Sequence, residues 1–234
     1  MLKLVIFDLD GTLVEFKIDY EKSKKEVISA LEEIGLDERK VQGKTISDIV
    51  RNAQKLLSGR IDENGFKKLR KLLYERIEKY EMKAAKSTKL ISGAMDILSH
   101  LRRNGVKIAL VTNNNRKATE LTLRRLKLSN LFHEVVTRDD VENFKPYPDQ
   151  ILYVLEKTGV GKEEAIYVGD SKIDVIAAKS AGIKMVLASP KTISLDVEGI
   201  QFRPDFIIED LNELPSIFNR QFQSEARCSI ETTL

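Results

Sequence analysis

Two different spacings of apolar residues divide the chain. Between residues 16 and 90 the apolar positions recur every three or four residues and no proline occurs, a pattern typical of amphipathic helices. Breaks at Gly35, at Gly43 and over residues 58–65 predict three such helices. From about residue 92 onward, helical patterns instead alternate with short apolar runs rich in β-branched residues. We therefore expect residues 16–90 to be a helical insertion in a different kind of domain.

The short apolar runs predict the strands of a sheet. They lie at residues 3–8, 106–111, 133–137, 165–168, 184–188 and 205–209. Strands that are apolar on both sides, with helical patterns between them, are typical of a parallel sheet covered by helices on both faces. The predicted fold class is therefore α/β, a Rossmann-like parallel sheet with an inserted all-helical cap subdomain. The predicted boundaries are 1–15 and 91–219 for the core, 16–90 for the cap and 220–234 for a C-terminal tail.

Composition narrows the functional classes. Of the 234 residues, 42% are hydrophobic and 32% are charged, as in a globular protein. The 39 Lys and Arg residues nearly balance the 36 Asp and Glu residues, and this balance gives no argument for nucleic-acid binding. No apolar run is long enough for a membrane span, and the single cysteine, Cys228, has no thiol partner in the chain. We therefore expect a cytoplasmic protein without a membrane or nucleic-acid partner.

Polar residues follow the predicted strands where the strands end. They are two carboxylates after the first strand, a hydroxyl and an amide after the second, an ammonium in the loop after the third and a carboxylate after the fourth: Asp8, Asp10, Thr112, Asn113, Lys145 and Asp170. Ligands of open parallel sheets bind beyond the carboxyl ends of the strands, so we expect these groups to meet at one edge. Taken singly, Thr112 also fits a helix N-cap, and the prolines beside Lys145 also fit a stiff turn.

Clustered carboxylates repel one another, and a divalent cation would offset the repulsion. Mg²⁺ is typically held by one or two carboxylates together with substrate phosphate and water. A cation beside Lys145 would attract a phosphoryl group. One carboxylate could then form an aspartyl-phosphate, and a second could act as general acid and later as base. Asp8 and Asp10 are close enough in sequence to divide these two roles.

At these residues the sequence resembles the haloacid dehalogenase (HAD) superfamily, specifically its phosphatases with a helical cap inserted after the first strand. Four segments match the motifs of the superfamily in order: DLDGT (8–12), LVTNN around Thr112, KPYPD (145–149) and GDSKIDVIAAKSAG (169–182). The phosphoglycolate phosphatase-like branch is the most similar one. The resemblance implies a Mg²⁺-dependent phosphatase that hydrolyses a small-metabolite phosphomonoester of the phosphoglycolate or sugar-phosphate type.

The resemblance also implies the roles of the catalytic residues. Asp8 would attack phosphorus and ligate Mg²⁺. Asp10 would protonate the leaving oxygen, then activate water, and would give the metal its backbone carbonyl. Dehalogenases of the superfamily lack this second aspartate, so Asp10 favours phosphoryl transfer over carbon–halogen cleavage. Thr112 would hold the phosphoryl oxygens, helped by the amide of Asn113, and Lys145 would neutralise the phosphate and order the carboxylates.

Three further positions receive supporting roles by the same resemblance. Asp170 would be a side-chain ligand of the metal, and Asp174 would support it nearby or through water. Thr12 would orient the turn after the first strand. The pair at 139–140, Asp139 and Asp140, is interpreted as loop or cap residues.

Substrate choice is expected to come from the helical insertion, and three functional hypotheses remain open. Lys44 and Arg51 are candidates for substrate contact, although a glycine turn and an ordinary solvated helix are the favoured explanation of these two residues. The leading hypothesis is the phosphatase. A phosphosugar mutase of the same superfamily would use the same core, and a non-catalytic binding module on this fold is the third. The sequence does not distinguish a monomer from a homodimer.

Overall fold

The computed structural model describes residues 1–43, 45–188 and 203–218. The predictions for Lys44 and for a tail at residues 220–234 fall outside these ranges. The chain divides into two compact units. One comprises Met1–Phe16 and the described residues from Thr88 onward, and the other comprises Lys17–Ser87.

Parallel strands form the centre of the first unit. They are β1 (Leu4–Phe7), β2 (Lys107–Val111), β3 (Glu134–Val136), β4 (Ala165–Gly169), β5 (Lys184–Ala188) and β6 (Phe206–Ile208). Their order in the sheet is β3-β2-β1-β4-β5-β6, and every neighbouring pair is parallel. Each strand lies on one of the six apolar runs in the sequence, so the predicted α/β class is confirmed.

The second unit consists of helices, and the first unit has helices of its own that cover its sheet. They are α1 (Tyr20–Glu33), α2 (Glu38–Val41), α3 (Ile46–Leu57), α4 (Glu63–Ser87), α5 (Ala94–Arg103), α6 (Arg116–Arg125), α7 (Asp149–Thr158) and α8 (Lys172–Ala181). Residues 214–218 are also helical.

The two faces of the sheet bury two separate apolar clusters, because successive side chains of a strand point to opposite faces. Val5 and Phe7 of β1 belong to the cluster that includes apolar residues of α5. Leu4 and Ile6 belong to the cluster that includes apolar residues of α7 and α8. All four β1 side chains are fully buried, which fixes this strand at the centre of the unit.

The helical unit differs from its prediction in two places. The short α2 lies between Gly35 and Gly43, where no helix was predicted, and the Asp37 side chain caps it by accepting from the Arg39 backbone N–H. Helix α4 begins at Glu63, inside the break predicted over residues 58–65. The Asp62 carboxylate accepts from the backbone N–H of Gly65 at 2.7 Å, an N-cap contact that starts the helix earlier than the glycine suggested. Across the described ranges, no helix is long and apolar enough to cross a membrane.

Candidate active site

The register of the sheet brings three strand ends to one edge. Phe7, the last residue of β1, lies opposite Leu110 in β2 and Val168 in β4. The residues that follow these strands therefore begin at the same level. The strand order reverses between β1 and β4: β2 and β3 lie on one side of β1, and β4, β5 and β6 lie on the other. Open parallel sheets bind ligands at such a switch point.

Lys145 occupies the centre of this edge and is only 1% exposed. Its Nζ lies 2.6 Å from Oδ1 of Asp8, 2.7 Å from Oδ1 of Asp174 and 3.0 Å from the hydroxyl oxygen of Tyr167. The carbonyl oxygen of Val111 is farther away, at 3.4 Å. An ammonium group has three N–H bonds. The two carboxylates and the phenol provide an acceptor for each of them.

Burial and mutual repulsion shift the protonation equilibria of these groups. Desolvation, reinforced by the charge of Asp174, raises the pKa of Asp8 to about 6 despite the opposing effect of Lys145. Desolvation and the charges of Asp8 and Asp174 raise the pKa of Asp170 to about 8. Burial disfavours the charged form of Lys145, but the charges of Asp174 and Asp8 outweigh it and raise its pKa. Desolvation and the charge of Asp174 also raise the pKa of Tyr167.

Three carboxylates at this edge could hold a metal ion. Asp8, Asp170 and Asp174 each offer an oxygen, and these oxygens lie within 4.8 Å of one another. An oxygen-only donor set suits a hard cation such as Mg²⁺. Gly11 allows Asp170 to approach the turn after β1, because a Cβ at position 11 would lie 2.1 Å from Oδ2 of Asp170.

Asp174 is the least available of these three carboxylates. Its Oδ1 accepts from Lys145 and from the hydroxyl of Tyr167, the latter at 2.9 Å. Its Oδ2 accepts from the backbone N–H of Ser171 at 3.0 Å and from the Ser171 hydroxyl, at the start of α8. Both oxygens are thus occupied by hydrogen bonds. Asp174 therefore fits the predicted supporting role better than the role of a direct metal ligand.

Two side-chain amides hold the Lys145 segment against the end of β2. Gln150 is fully buried, accepts from the backbone N–H of Lys145 at 3.1 Å and donates to the carbonyl oxygen of Thr112 at 2.9 Å. The side chain of Asn113 donates to the carbonyl oxygen of Lys145 at 2.8 Å. The Thr112 hydroxyl accepts from the backbone N–H of Asn114 at 3.2 Å. The phosphate-binding candidates Thr112 and Asn113 are therefore tied to the segment that carries the lysine.

Sequence reasoning assigned no role to three residues that the structure places in this network. Tyr167 is the polar residue of the apolar run AIYV, and its hydroxyl contacts Lys145. Gln150 lies on the apolar face of α7, where a buried amide is unusual. Asn114 donates from Nδ2 to Oδ2 of Asp10. The sequence signal for each of them was a polar side chain at a position where the hydrophobic pattern predicts an apolar or a solvated residue.

The family model described as haloacid dehalogenase-like hydrolase matches residues 5–188, a range that includes every residue of this network. The chain belongs to this family. The predicted superfamily is confirmed, and the chain is an enzyme of the hydrolase class.

Similar proteins agree with this membership. Phosphoglycolate phosphatase 1 of Pseudomonas aeruginosa is 33% identical over 187 residues, which are 78% of this chain and 67% of that protein. The pyrophosphatase PpaX of Bacillus cereus is 33% identical over 129 residues, 55% of this chain and 59% of that protein. The crystal structure of a HAD phosphatase from Thermococcus onnurineus is 28% identical with a TM-score of 0.59, and the match covers 93% of this chain and 98% of that one. The predicted phosphatase class is thus confirmed at the level of the family.

The remaining predicted residues of this family member lie at its turns and surface. Thr12 is buried, and its hydroxyl faces Oδ1 of Asp170 at 3.5 Å. Asp139 and Asp140 lie in the loop after β3 and bond to Arg116, the first residue of α6. They are loop residues of the α/β unit and not part of the helical unit.

Arg51, the other candidate for substrate contact, lies on α3 of the helical unit. Its side chain is exposed and pairs with Asp48, three residues earlier on the same helix. Substrate contact by Arg51 stays a prediction.

Proposed function

We propose that this family member is a Mg²⁺-dependent phosphatase that hydrolyses a small-metabolite phosphomonoester, of the phosphoglycolate or sugar-phosphate type, through an aspartyl-phosphate on Asp8. The observation that carries the proposal is the buried contact of Asp8 with Lys145 beside the carboxylates of Asp170 and Asp174. The phosphatase names of its relatives support the substrate class.

In this proposal, Asp8 and Asp170 hold Mg²⁺ through side-chain oxygens, Asp10 through its backbone carbonyl, and Asp174 supports them. When bound, the ion supplies positive charge that offsets the repulsion between carboxylates and between them and the phosphoryl oxygens. Lys145 contributes charge as well. Because Asp8, Asp174 and Tyr167 occupy its three N–H bonds, Lys145 acts on the phosphoryl group mainly by its field and by holding Asp8 in place.

The reaction divides into two balanced steps. In the first, a carboxylate oxygen of Asp8 bonds to phosphorus while the bond from phosphorus to the leaving oxygen breaks. The leaving oxygen takes the electron pair and the proton of Asp10, and an alcohol departs. In the second, Asp10 removes a proton from water, and the water oxygen bonds to phosphorus. The bond between phosphorus and Asp8 breaks, and inorganic phosphate leaves. Asp8 is then again a carboxylate, and Asp10 is again protonated.

The phosphoryl oxygens need donors, and the end of β2 can supply them. The Thr112 hydroxyl accepts a hydrogen bond and donates none to the described residues. The side-chain N–H of Asn113 is bonded to the carbonyl of Lys145, so the backbone amide of Asn113 is the group assigned to phosphate. Hydroxyl and amide donors at a strand end are typical partners of phosphoryl oxygens.

Substitution of the nucleophile tests the mechanism. Asp8→Asn keeps the volume of the side chain but removes the attacking carboxylate, so hydrolysis of p-nitrophenyl phosphate should fall by about 10³-fold or more. Asp139→Asn, an exposed loop aspartate of the same unit, is the matched control and should retain full activity. Acid-quenched samples of the native protein should contain phosphate bound covalently to protein, and Asp8→Asn samples should not. Retained activity in Asp8→Asn would remove Asp8 as nucleophile.

A substrate screen distinguishes a phosphatase from a phosphosugar mutase. Phosphate release would be measured with phosphoglycolate, sugar phosphates and pyrophosphate, with Mg²⁺ and after exhaustive chelation. The proposal expects Mg²⁺-dependent release from a phosphomonoester. An isomerised sugar phosphate without phosphate release would identify a mutase. Phosphate release that persists after chelation would contradict the proposed requirement for Mg²⁺.

A further inference from the structure

Three consecutive asparagines follow β2, and each has a different partner. Asn113 donates from Nδ2 to the carbonyl oxygen of Lys145. Asn115 accepts at Oδ1 from the backbone N–H of Ala118 at 2.7 Å and caps α6. Asn114 donates from Nδ2 to Oδ2 of Asp10, 104 residues away in the sequence. The side chains of Asn113 and Asn115 bind backbone groups, whereas the side chain of Asn114 binds the side chain of Asp10.

The backbone around Asn114 is fixed independently of its side chain. Its N–H donates to the Thr112 hydroxyl at 3.2 Å, and its carbonyl oxygen accepts from the backbone N–H of Arg138 at 3.3 Å. The guanidinium of Arg138, which is 8% exposed, donates to the carbonyl oxygen of Asn113 at 2.9 Å. A side chain anchored in this way presents its amide in one place.

The contact favours one oxygen of Asp10 as the carrier of a proton. An amide N–H donates more strongly to the carbonyl oxygen of a carboxylic acid than to its hydroxyl oxygen, so in the protonated acid the contact favours Oδ2 as the carbonyl oxygen and Oδ1 as the oxygen that carries the hydrogen. The same hydrogen bond restricts rotation of the carboxyl plane. A general acid must have its proton directed at the leaving oxygen, because proton transfer depends on geometry before acidity.

We propose that Asn114 is a positioning residue for Asp10, and that the enzyme depends on it in proportion to the basicity of the leaving oxygen. The inference rests on the proposed function, in which Asp10 protonates the leaving group. When the bond from phosphorus to an alkyl oxygen breaks, the departing alkoxide needs the proton of Asp10 as it forms. A nitrophenolate is stable without that proton, so its departure depends little on where the acid points.

The experiment compares leaving groups in matched variants. The substrates are p-nitrophenyl phosphate and whichever of phosphoglycolate, glycerol 3-phosphate and glucose 6-phosphate the native enzyme hydrolyses fastest. The parameter is kcat/KM, which includes the steps up to departure of the leaving group and excludes hydrolysis of the phosphoenzyme. The variants are Asn114→Ala and Asn114→Leu, which keeps a side chain of similar shape but removes the N–H donor without adding a charge. Inhibition by inorganic phosphate checks that the site is intact.

Asn114→Ala and Asn114→Leu should each lower kcat/KM for the alkyl phosphate by about 10- to 100-fold, part of the roughly 10²- to 10⁴-fold effect of a positioned acid. They should lower it by less than about 3-fold for the nitrophenyl ester, whose leaving group needs little acid catalysis. Asn113→Ala is the neighbouring control and should slow both substrates by a similar factor, because its side chain holds the carbonyl oxygen of Lys145 rather than Asp10.

The outcomes separate the inference from the proposed function. If Asp10→Asn discriminates between the leaving groups and the Asn114 variants slow both substrates equally, Asn114 is structural and the inference is wrong. If Asp10→Asn does not discriminate, or if the native enzyme hydrolyses no alkyl phosphate, the proposed role of Asp10 fails and the inference fails with it.

Discussion

Tyr167 is the neutral member of a buried group that otherwise consists of charges. Its oxygen accepts from Lys145 and its hydroxyl donates to Asp174, so one phenol joins the cation to a carboxylate. Hydrogen bonds to charged groups are stronger than neutral ones, and a buried charge that loses one cannot replace it with water. The contribution of Tyr167 should therefore be visible in stability.

Tyr167→Phe removes the hydroxyl and keeps the ring. We expect the free energy of unfolding to fall by about 1.5–3 kcal/mol, the usual range for a hydrogen bond to a charged group. Urea denaturation would measure the change. Tyr153→Phe is the matched control, because the half-buried Tyr153 on α7 makes a ring contact with Lys157 and no hydroxyl contact with the described residues. Equal stabilities of the two variants would contradict the role of the phenol.

At the residue scale, the sequence predicted the groups that follow the strands but not the partners they use. Asp8 and Asp170 could be predicted because a carboxylate directly after a buried strand has few structural reasons to be there. The contacts of Asn114 and Tyr167 could not, because they depend on where distant segments meet. Asn114 and Asp10 are 104 residues apart, and Tyr167 and Lys145 are 22 apart. A one-dimensional pattern carries no information about such pairs.

The turn after β1 depends on a glycine for two separate reasons. Gly11 has φ +85°, in the left-handed region that side chains with a Cβ avoid. A Cβ there would also lie 2.1 Å from Oδ2 of Asp170. The first reason concerns the stability of the turn, and the second concerns the position of a candidate metal ligand.

Substitution at two glycines separates these reasons. Gly11→Ala should displace the Asp170 carboxylate and weaken Mg²⁺ binding by at least about 10-fold, comparable to the 10–100-fold loss when an outer partner of a metal ligand is removed. Calorimetric titration with Mg²⁺ would measure it. Gly105→Ala is the control, since Gly105 has φ +70° but a Cβ there would meet nothing within 4 Å. Gly105→Ala should cost about 1–2 kcal/mol of stability and leave Mg²⁺ affinity unchanged. Equal affinities for the two variants would show that the turn does not position Asp170.

At the element scale, the pattern of apolar and polar residues was sufficient to predict a helix or a strand wherever that element was long or buried. The six strands could be predicted because the apolar, β-branched runs are bounded by turn residues. Helix α2 could not, because its four residues are too short for a helical period to appear. The start of α4 was placed too late because Gly65 was interpreted as a break. A glycine in a first turn is tolerated when the residue before the helix caps it, as Asp62 does.

The buried carboxylates make the stability of the whole metal-free molecule depend on pH. Asp8 has a folded pKa of about 6 and Asp170 of about 8, both above the ordinary value of 3.8. Between pH 4 and pH 8, roughly, the folded protein therefore binds more protons than the unfolded chain. These two groups make the free energy of unfolding decrease as pH rises through this window, and the loss is complete above the folded pKa values.

Mg²⁺ should reverse this loss, because a cation favours the charged carboxylates. We expect the ion to stabilise the protein more at pH 8 than at pH 5, whereas Asp170→Asn should show a smaller difference between the two. Thermal denaturation at both pH values, with chelator and with Mg²⁺, provides the comparison. A stabilisation by Mg²⁺ that is the same at pH 5 and pH 8 would contradict the assignment of the carboxylates as ligands.

The central position of β1 has a consequence for synthesis on the ribosome. Its neighbours in the sheet are β2 and β4, whose paired residues begin at Lys107 and Ala165. At typical rates of translation, about 10–30 s separate the emergence of Asp8 from that of Asp174. Until Lys107 and the rest of β2 emerge, the LVIF segment has two unpaired edges, and until Lys145 emerges Asp8 lacks the ammonium group that later neutralises it. The nascent chain therefore carries an apolar strand with at least one open edge until β4 emerges, and such an edge can pair with other chains.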